Sequence, residues 1–298
     1  MNIGAITMVH KEESFLKLWV RHYEKIVGRE NMYVVTHGDQ PQLQPIIQGC
    51  NHVFIPRKKI DVHFASMKSA FLNTYANILF HNGYDCVIGG DVDELVFADP
   101  DIYPGGLSSL IKASSKLGPA LTTVGLNICE TDNDRSLDIN RKVFAQRNTA
   151  FVNSNMCKPL ILLKRPARWT SGFHETKYEP VLVDGLYMAH LKYVSKDIIL
   201  NEVSPIRKET ADSHDELSQS KYKHVRVYWG ETARVFESTQ EMIKAANITD
   251  LDSKIDDIRN LLRSNRVENA ANRGGISFRL PHGKKYTLTM PKRFSDIL

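Results

Sequence analysis

A chain of 298 residues is long enough for one large α/β domain or two smaller ones, and its 42% apolar share supports a real core and excludes disorder. A net charge of +5 is too mild for a dedicated nucleic-acid binder, and suits an anionic small ligand or a weak approach to an acidic membrane face. The four cysteines are far apart and form no Cys-x-x-Cys pair, no leader-like segment precedes the first strand, and no apolar run approaches the roughly 18 residues of a membrane span. These features lead us to expect a cytoplasmic protein with reduced thiols and no transmembrane segment, in peripheral contact with the inner membrane face at most.

Ile3 to Val9 is apolar and β-prone and reads as the first strand. The polar stretch His10-Lys11-Glu12-Glu13-Ser14 follows, and then Phe15, Leu16, Trp19, Val20 and Tyr23 recur at helical spacing. Met32 to Val35 reads as a second strand ending at Thr36-His37-Gly38-Asp39, and Val53 to Arg57 as a brief third. A helix from about His63 to His81 carries Phe64, Met67, Phe71, Tyr75, Ile78 and Leu79 on one side. Strands alternating with helices predict a mostly parallel sheet with right-handed crossovers.

The segment Cys86-Val87-Ile88-Gly89-Gly90-Asp91-Val92-Asp93-Glu94 is a buried-type strand that ends in three closely spaced carboxylates. The two glycines allow close approach of backbone or ligand. Alternation along an extended chain puts Asp91 and Asp93 on one side, about 7 Å apart. Two hard carboxylates at that separation can share a Mg²⁺ or Mn²⁺ whose other ligands are water and phosphate oxygens. A parallel sheet binds its ligands beyond the carboxyl ends of its strands, where these acids fall. The competing reading is a plain acidic turn.

Farther on, Leu107 to Lys116 reads as a helix, Ala120 to Ile128 as a strand, and residues 130 to 147 as a polar loop. Pro159 to Leu163 is a further strand, flanked by Lys158, Lys164, Arg165 and Arg168. Two short stretches bring histidines, at His174 and His190. From about Ser195 the chain is polar and helical, with a single period from Glu241 to Arg263, and its basic tail after Asn272 suits an extra strand pair or an arm.

Val9-His10-Lys11-Glu12, Phe15-Leu16, Trp19 through His22, the Asp91-Val92-Asp93-Glu94 turn and the later histidines resemble family 2-type glycosyltransferases over roughly residues 1 to 195. The resemblance implies a GT-A nucleotide-sugar-binding fold, with a mostly parallel central sheet flanked by helices. Residues 1–195 would form that domain, and residues 196–298 a mainly helical extension on the acceptor or partner side. It implies a sugar transfer, with inversion, from a metal-bound nucleotide diphosphate sugar (a UDP-sugar foremost) to a hydroxyl of a glycan or lipid-linked glycan, as in polysaccharide biosynthesis.

In that scheme Asp93 ligates the divalent ion, Mn²⁺ or Mg²⁺, and Asp91 lies near the ribose or the metal. His190, with His174 second, supplies a further ligand; an ordinary core or surface histidine is the plain alternative. Glu12, Asp39, Lys68 and Lys192 would contact the nucleotide sugar, although Glu12 also suits an acidic first helical turn and Lys68 a solvated helix face. Glu175, with Glu94 as alternative, would take the acceptor's proton. The Gln-x-x-Arg-Trp motif of many members is missing, because Arg168-Trp169 stands alone, and this leaves the base without a family assignment. A metal-dependent nucleotidyl- or phosphotransferase, or a noncatalytic GT-A-like binding module, is the rival reading. The Gly-x-x-x-x-Gly-Lys-Ser/Thr, Gly-x-Ser-x-Gly and His-Glu-x-x-His motifs do not occur.

Overall fold

The first strand, β1 (Ile3–Val9), is buried along its whole length, because its continuous apolar run is covered on both faces. In the computed structural model, which describes residues 1–57, 63–212, 231–269 and 274–298, it pairs in parallel with β2 (Met32–His37) and β4 (Cys86–Asp91). β3 (Asn51–Ile55) extends the parallel block beyond β2. Helix α1 (Glu13–Val27) buries Phe15, Leu16, Trp19, Val20 and Tyr23, the residues its period predicts.

Helix α2 (Phe64–His81) is turned relative to the expected face. Its buried positions are Ser69, Leu72, Ala76, Leu79 and Phe80, while Met67 and Ile78 are exposed. The small residues allow the helix to lie close to the sheet, so the stripe containing them, and not the bulkiest one, faces inward.

After β4 the chain reverses through Val92-Asp93 into β5 (Glu94–Ala98). Helix α3 (Gly106–Ser114) leads to β6 (Ala120–Cys129), which is antiparallel to β7 (Thr149–Val152) and to β8 (Ile161–Leu162). β8 also pairs antiparallel with β4, linking this second half to the first. The long β9 (Pro180–Tyr193) runs parallel to β6 and antiparallel to β5, with Glu94 directly opposite His190. The result is an α/β protein with a large central sheet, parallel through β3-β2-β1-β4 and flanked by helices, as the GT-A resemblance implies.

The chain beyond residue 195 holds helices α4 (Ser204–Asp212), α5 (Thr232–Lys244) and α6 (Leu251–Ser264), and also strands. The single period from Glu241 to Arg263 is broken into two helices by β10 (Ile248–Asp250), because the Asp250 carboxylate caps α6 by accepting from the Ser253 amide at 3.2 Å. β11 (Arg266–Asn269) and β12 (Gly275–Phe278) form the strand pair, and β13 (Tyr286–Thr289) joins β7 and β10 in the main sheet. Residues 213–230 of the polar stretch and Arg273 of the tail lie outside the described residues.

Two glycines are required by close packing. A Cβ on Gly89 would meet the Trp169 ring at 2.6 Å, so the approach that Gly89 permits is that of an indole. A Cβ on Gly125 would run into the Met156 carbonyl, a backbone atom that cannot swing aside. Gly125→Ala is therefore expected to destabilise the protein by about 2 kcal/mol or more, read as a lowered melting temperature; an unchanged melting curve would contradict this packing.

Candidate functional site

The carboxyl ends of β1, β2 and β4 open onto one cavity of about 340 Å³, lined among others by His10, Glu12, His37, Asp91, Asp93 and Glu94. This is the crevice in which parallel α/β sheets hold ligands. The turn after β1 is held in place by Gln40, whose amide donates to the carbonyl of His37 at 3.1 Å and whose oxygen accepts from the Lys11 amide. Lys11 sits at φ +64°, a left-handed conformation unusual for a non-glycine residue, and this aims the next residue, Glu12, into the cavity.

Two carboxylates of the Asp91–Glu94 turn meet lysines. Lys68 reaches Asp91, and Lys158 reaches Glu94 and lies 3.9 Å from Asp91. Burial opposes the charge on Lys68 and on Asp91, but their pairing outweighs it, raising the lysine and lowering the acid. Glu94 is pushed up by burial, against the pull of Lys158.

Asp93 is 4% exposed, and burial alone would raise its pKa; His190 and Arg207 hold it below the usual carboxylate range. His190 Nε2 stands 3.4 Å from Asp93 Oδ2, and its Nδ1 is 2.7 Å from Asn127 Oδ1. The Asn127 amide nitrogen donates to Phe151, so its oxygen is the acceptor and His190 Nδ1 carries a hydrogen. Asp93 Oδ2 has no hydrogen-bond partner among the described residues.

Arg207, on α4, comes within 4.0 Å of Glu12 and 3.9 Å of Asp93. Burial, opposed by Arg207, lifts Glu12 to about 7. Burial likewise lowers Lys192 to about 8, and its ammonium also lines the cavity.

The sequence-derived candidates thus divide into two groups. Glu12, Lys68, Asp91, Asp93, Glu94, His174, His190 and Lys192 all line the cavity. Within it, Asp91 is engaged by two lysines, and His174 donates from Nδ1 to the Asn155 carbonyl at 2.8 Å. Asp39 is exposed and does not line the cavity; the buried Gln40 beside it does the positioning. Glu175 is also outside the lining: it is fully buried, paired with Arg279 at 2.7 Å, and accepts from Asn269 at 3.1 Å. This pairing ties it to the β11–β12 hairpin. Lys158, Arg207 and Arg57 are cavity residues that sequence reasoning does not place in the site, because only long-range folding brings them there, whereas His10 belongs to the turn after β1 that carries the resemblance.

Among the described residues no group of three or more His, Cys, Asp and Glu side chains forms a metal cluster. Asp93 and His190 nevertheless suit a hard or borderline divalent ion: one carboxylate oxygen lacks a hydrogen-bond partner, and the facing imidazole is oriented through its other nitrogen.

No family profile matches the chain, and no curated protein matches it in sequence. Solved structures with partial likeness include mannose-1-phosphate geranyltransferase from Thermus thermophilus, at 12% identity and a TM-score of 0.31, covering 44% of this chain and 43% of that one. A cytidylyltransferase from Leptospira borgpetersenii serovar Hardjo-bovis gives 11% identity and a TM-score of 0.27 over 41% of this chain and 54% of that one. A197 from STIV gives 12% identity and a TM-score of 0.28 over 63% of this chain and 85% of that one. Likenesses this partial carry no functional weight.

Two outcomes follow from the site's electrostatics. Because the folded protein holds the Glu12 pKa at about 7, above the ordinary 4.5, the ionised form is disfavoured by folding. Its stabilising contribution is complete below pH 4.5 and lost as the pH rises through 7. Glu12→Gln should therefore match the wild type in stability at pH 4.5 and exceed it at pH 8, by up to about 3 kcal/mol, as read by denaturant unfolding; a gap that does not change with pH would contradict this. Glu175→Ala should cost about 1–3 kcal/mol of stability by removing the buried acceptor that Asn269 and Arg279 share, while any nucleotide affinity of the folded fraction stays unchanged. A lost affinity in fully folded protein would return Glu175 to the site.

Proposed function

We propose that the chain is a nucleotide-sugar-dependent glycosyltransferase that moves a sugar from a nucleoside diphosphate to an acceptor hydroxyl. The observation that carries this reading is the convergence of the carboxyl ends of β1, β2 and β4 on a single cavity holding both the Asp91–Glu94 acids and five cationic side chains, Arg57, Lys68, Lys158, Lys192 and Arg207. Cations of this density match a diphosphate, and strand ends match a nucleotide. The reading extends to a glycan or lipid-linked glycan as acceptor, with UDP-sugars as the first donors to test.

Asp93 and His190 would hold the divalent ion, which when bound neutralises charge on the departing diphosphate. Lys68 and Lys158 orient Asp91 and Glu94, and Lys192 and Arg207 face the phosphates. Of the two carboxylates considered for proton transfer, Glu94 lines the cavity, and its raised pKa suits a base. The chain beyond residue 195 would contribute to the donor site through Arg207, which lines the cavity.

The test is a product assay with nucleotide sugars and Mn²⁺ or Mg²⁺. Release of nucleoside diphosphate, reduced at least about a hundredfold in Asp93→Asn, is expected. Release of pyrophosphate from a nucleoside triphosphate would instead favour nucleotidyl transfer. Metal-independent nucleotide binding that is indifferent to Asp93→Asn would favour a noncatalytic module.

A further inference from the structure

His10 directly follows β1, and its ring tautomer is fixed by the fold. Its Nδ1 lies 2.8 Å from the carbonyl oxygen of His37. A carbonyl can only accept, so Nδ1 carries the hydrogen and Nε2 carries a lone pair. That Nε2 is buried, has no hydrogen-bond partner among the described residues, and belongs to a ring that lines the cavity. Burial, reinforced by Arg57, lowers His10 to about 4, so the ring stays neutral near pH 7. A buried acceptor without a partner is costly unless a ligand donates to it.

The surroundings narrow the choice of ligand. His37 Nδ1 lies 2.9 Å from Arg57 Nη1 and must accept from it, which leaves the His37 hydrogen on Nε2. Burial, reinforced by Arg57, lowers His37 to about 4 as well, so it too is neutral. The His37 ring is stacked on Phe64 with centroids 5.2 Å apart and 14° between planes, and stands 6.3 Å from the His10 ring. This corner of the cavity therefore combines one fixed acceptor with neighbouring donors and a flat aromatic wall.

We propose that His10 Nε2 reads the nucleobase of the donor by accepting a hydrogen bond from a ring N–H, and so selects an imide base of the uracil or thymine type. An imide offers one N–H between two carbonyls, which suits an acceptor next to the His37 Nε2 donor. Cytosine and adenine present a lone pair at the corresponding ring nitrogen, and guanine carries an amino donor on one side. A site built around a hydrogen bond discriminates strongly, because the wrong ligand leaves buried polar groups unpaired. This inference rests on the nucleotide-sugar reading above.

Calorimetric titration of the full chain with UDP, dTDP, CDP, GDP and N3-methyl-UDP tests it, in the wild type and in His10→Phe. UDP and dTDP should bind at least about tenfold more tightly than CDP and N3-methyl-UDP, and His10→Phe should erase the difference. The N3-methyl comparison uses unaltered protein, so it stands even if the variant folds poorly. Equal affinity for UDP and N3-methyl-UDP, a preference for GDP, or a UDP preference that survives in His10→Phe would overturn the assignment and leave the nucleotide reading intact. Binding of none of these nucleotides would overturn both.

Discussion

Three carboxylates within four residues, at the end of a buried strand, cannot be placed inside a protein without compensating positive charge. The Asp91–Glu94 turn meets this requirement with cations from both sides of it in the chain, Lys68 from α2, Lys158 before β8 and Arg207 from α4, while the His190 imidazole from β9 faces Asp93. Removing one of these cations would leave a buried acid partly unpaired, which costs more than the pair contributes. The turn thus dictates what must surround it, and the cavity forms within that shell.

The same requirement links the strand register to the chemistry. β5 begins at Glu94 and pairs with β9 so that His190 stands opposite, and the next residue, Leu191, donates its amide to the Asp93 carbonyl at 2.8 Å. A slip of one residue would send His190 to the other face. Asn127, on the neighbouring β6, then orients the imidazole. The helical segment beyond β9 meets the start of α1, where Glu202 accepts from the Ser14 amide at 2.8 Å, and the turn before it, where Lys11 pairs with Glu209 at 2.7 Å. These contacts bring Arg207 over Glu12 and Asp93.

Much of this was legible in the sequence where the signal is local. The apolar run of β1, the period of α1 and the strand-then-acid pattern of Cys86 to Glu94 depend on near neighbours, and the structure has them where the periodicities put them. The face of α2 was misread because hydrophobicity ranks Met67 and Ile78 above Ser69 and Ala76, whereas close packing on a sheet favours the small stripe. Lys158 and Arg207 carry no local mark: each is a cation in a polar or mixed stretch, 64 and 114 residues from the acids it serves at Glu94 and Asp93. Glu175 reads as a candidate base because it sits beside a histidine, whereas its partner Arg279 lies 104 residues downstream and carries no local mark.

Hydrogen exchange with and without UDP and Mn²⁺ addresses most directly whether this cavity is the nucleotide site. The account predicts protection on ligand addition at the turn after β1 (residues 10–14), at the Asp91–Glu94 turn and in α4. Protection confined to other parts of the chain, with these three segments unaffected under saturating ligand, would contradict it.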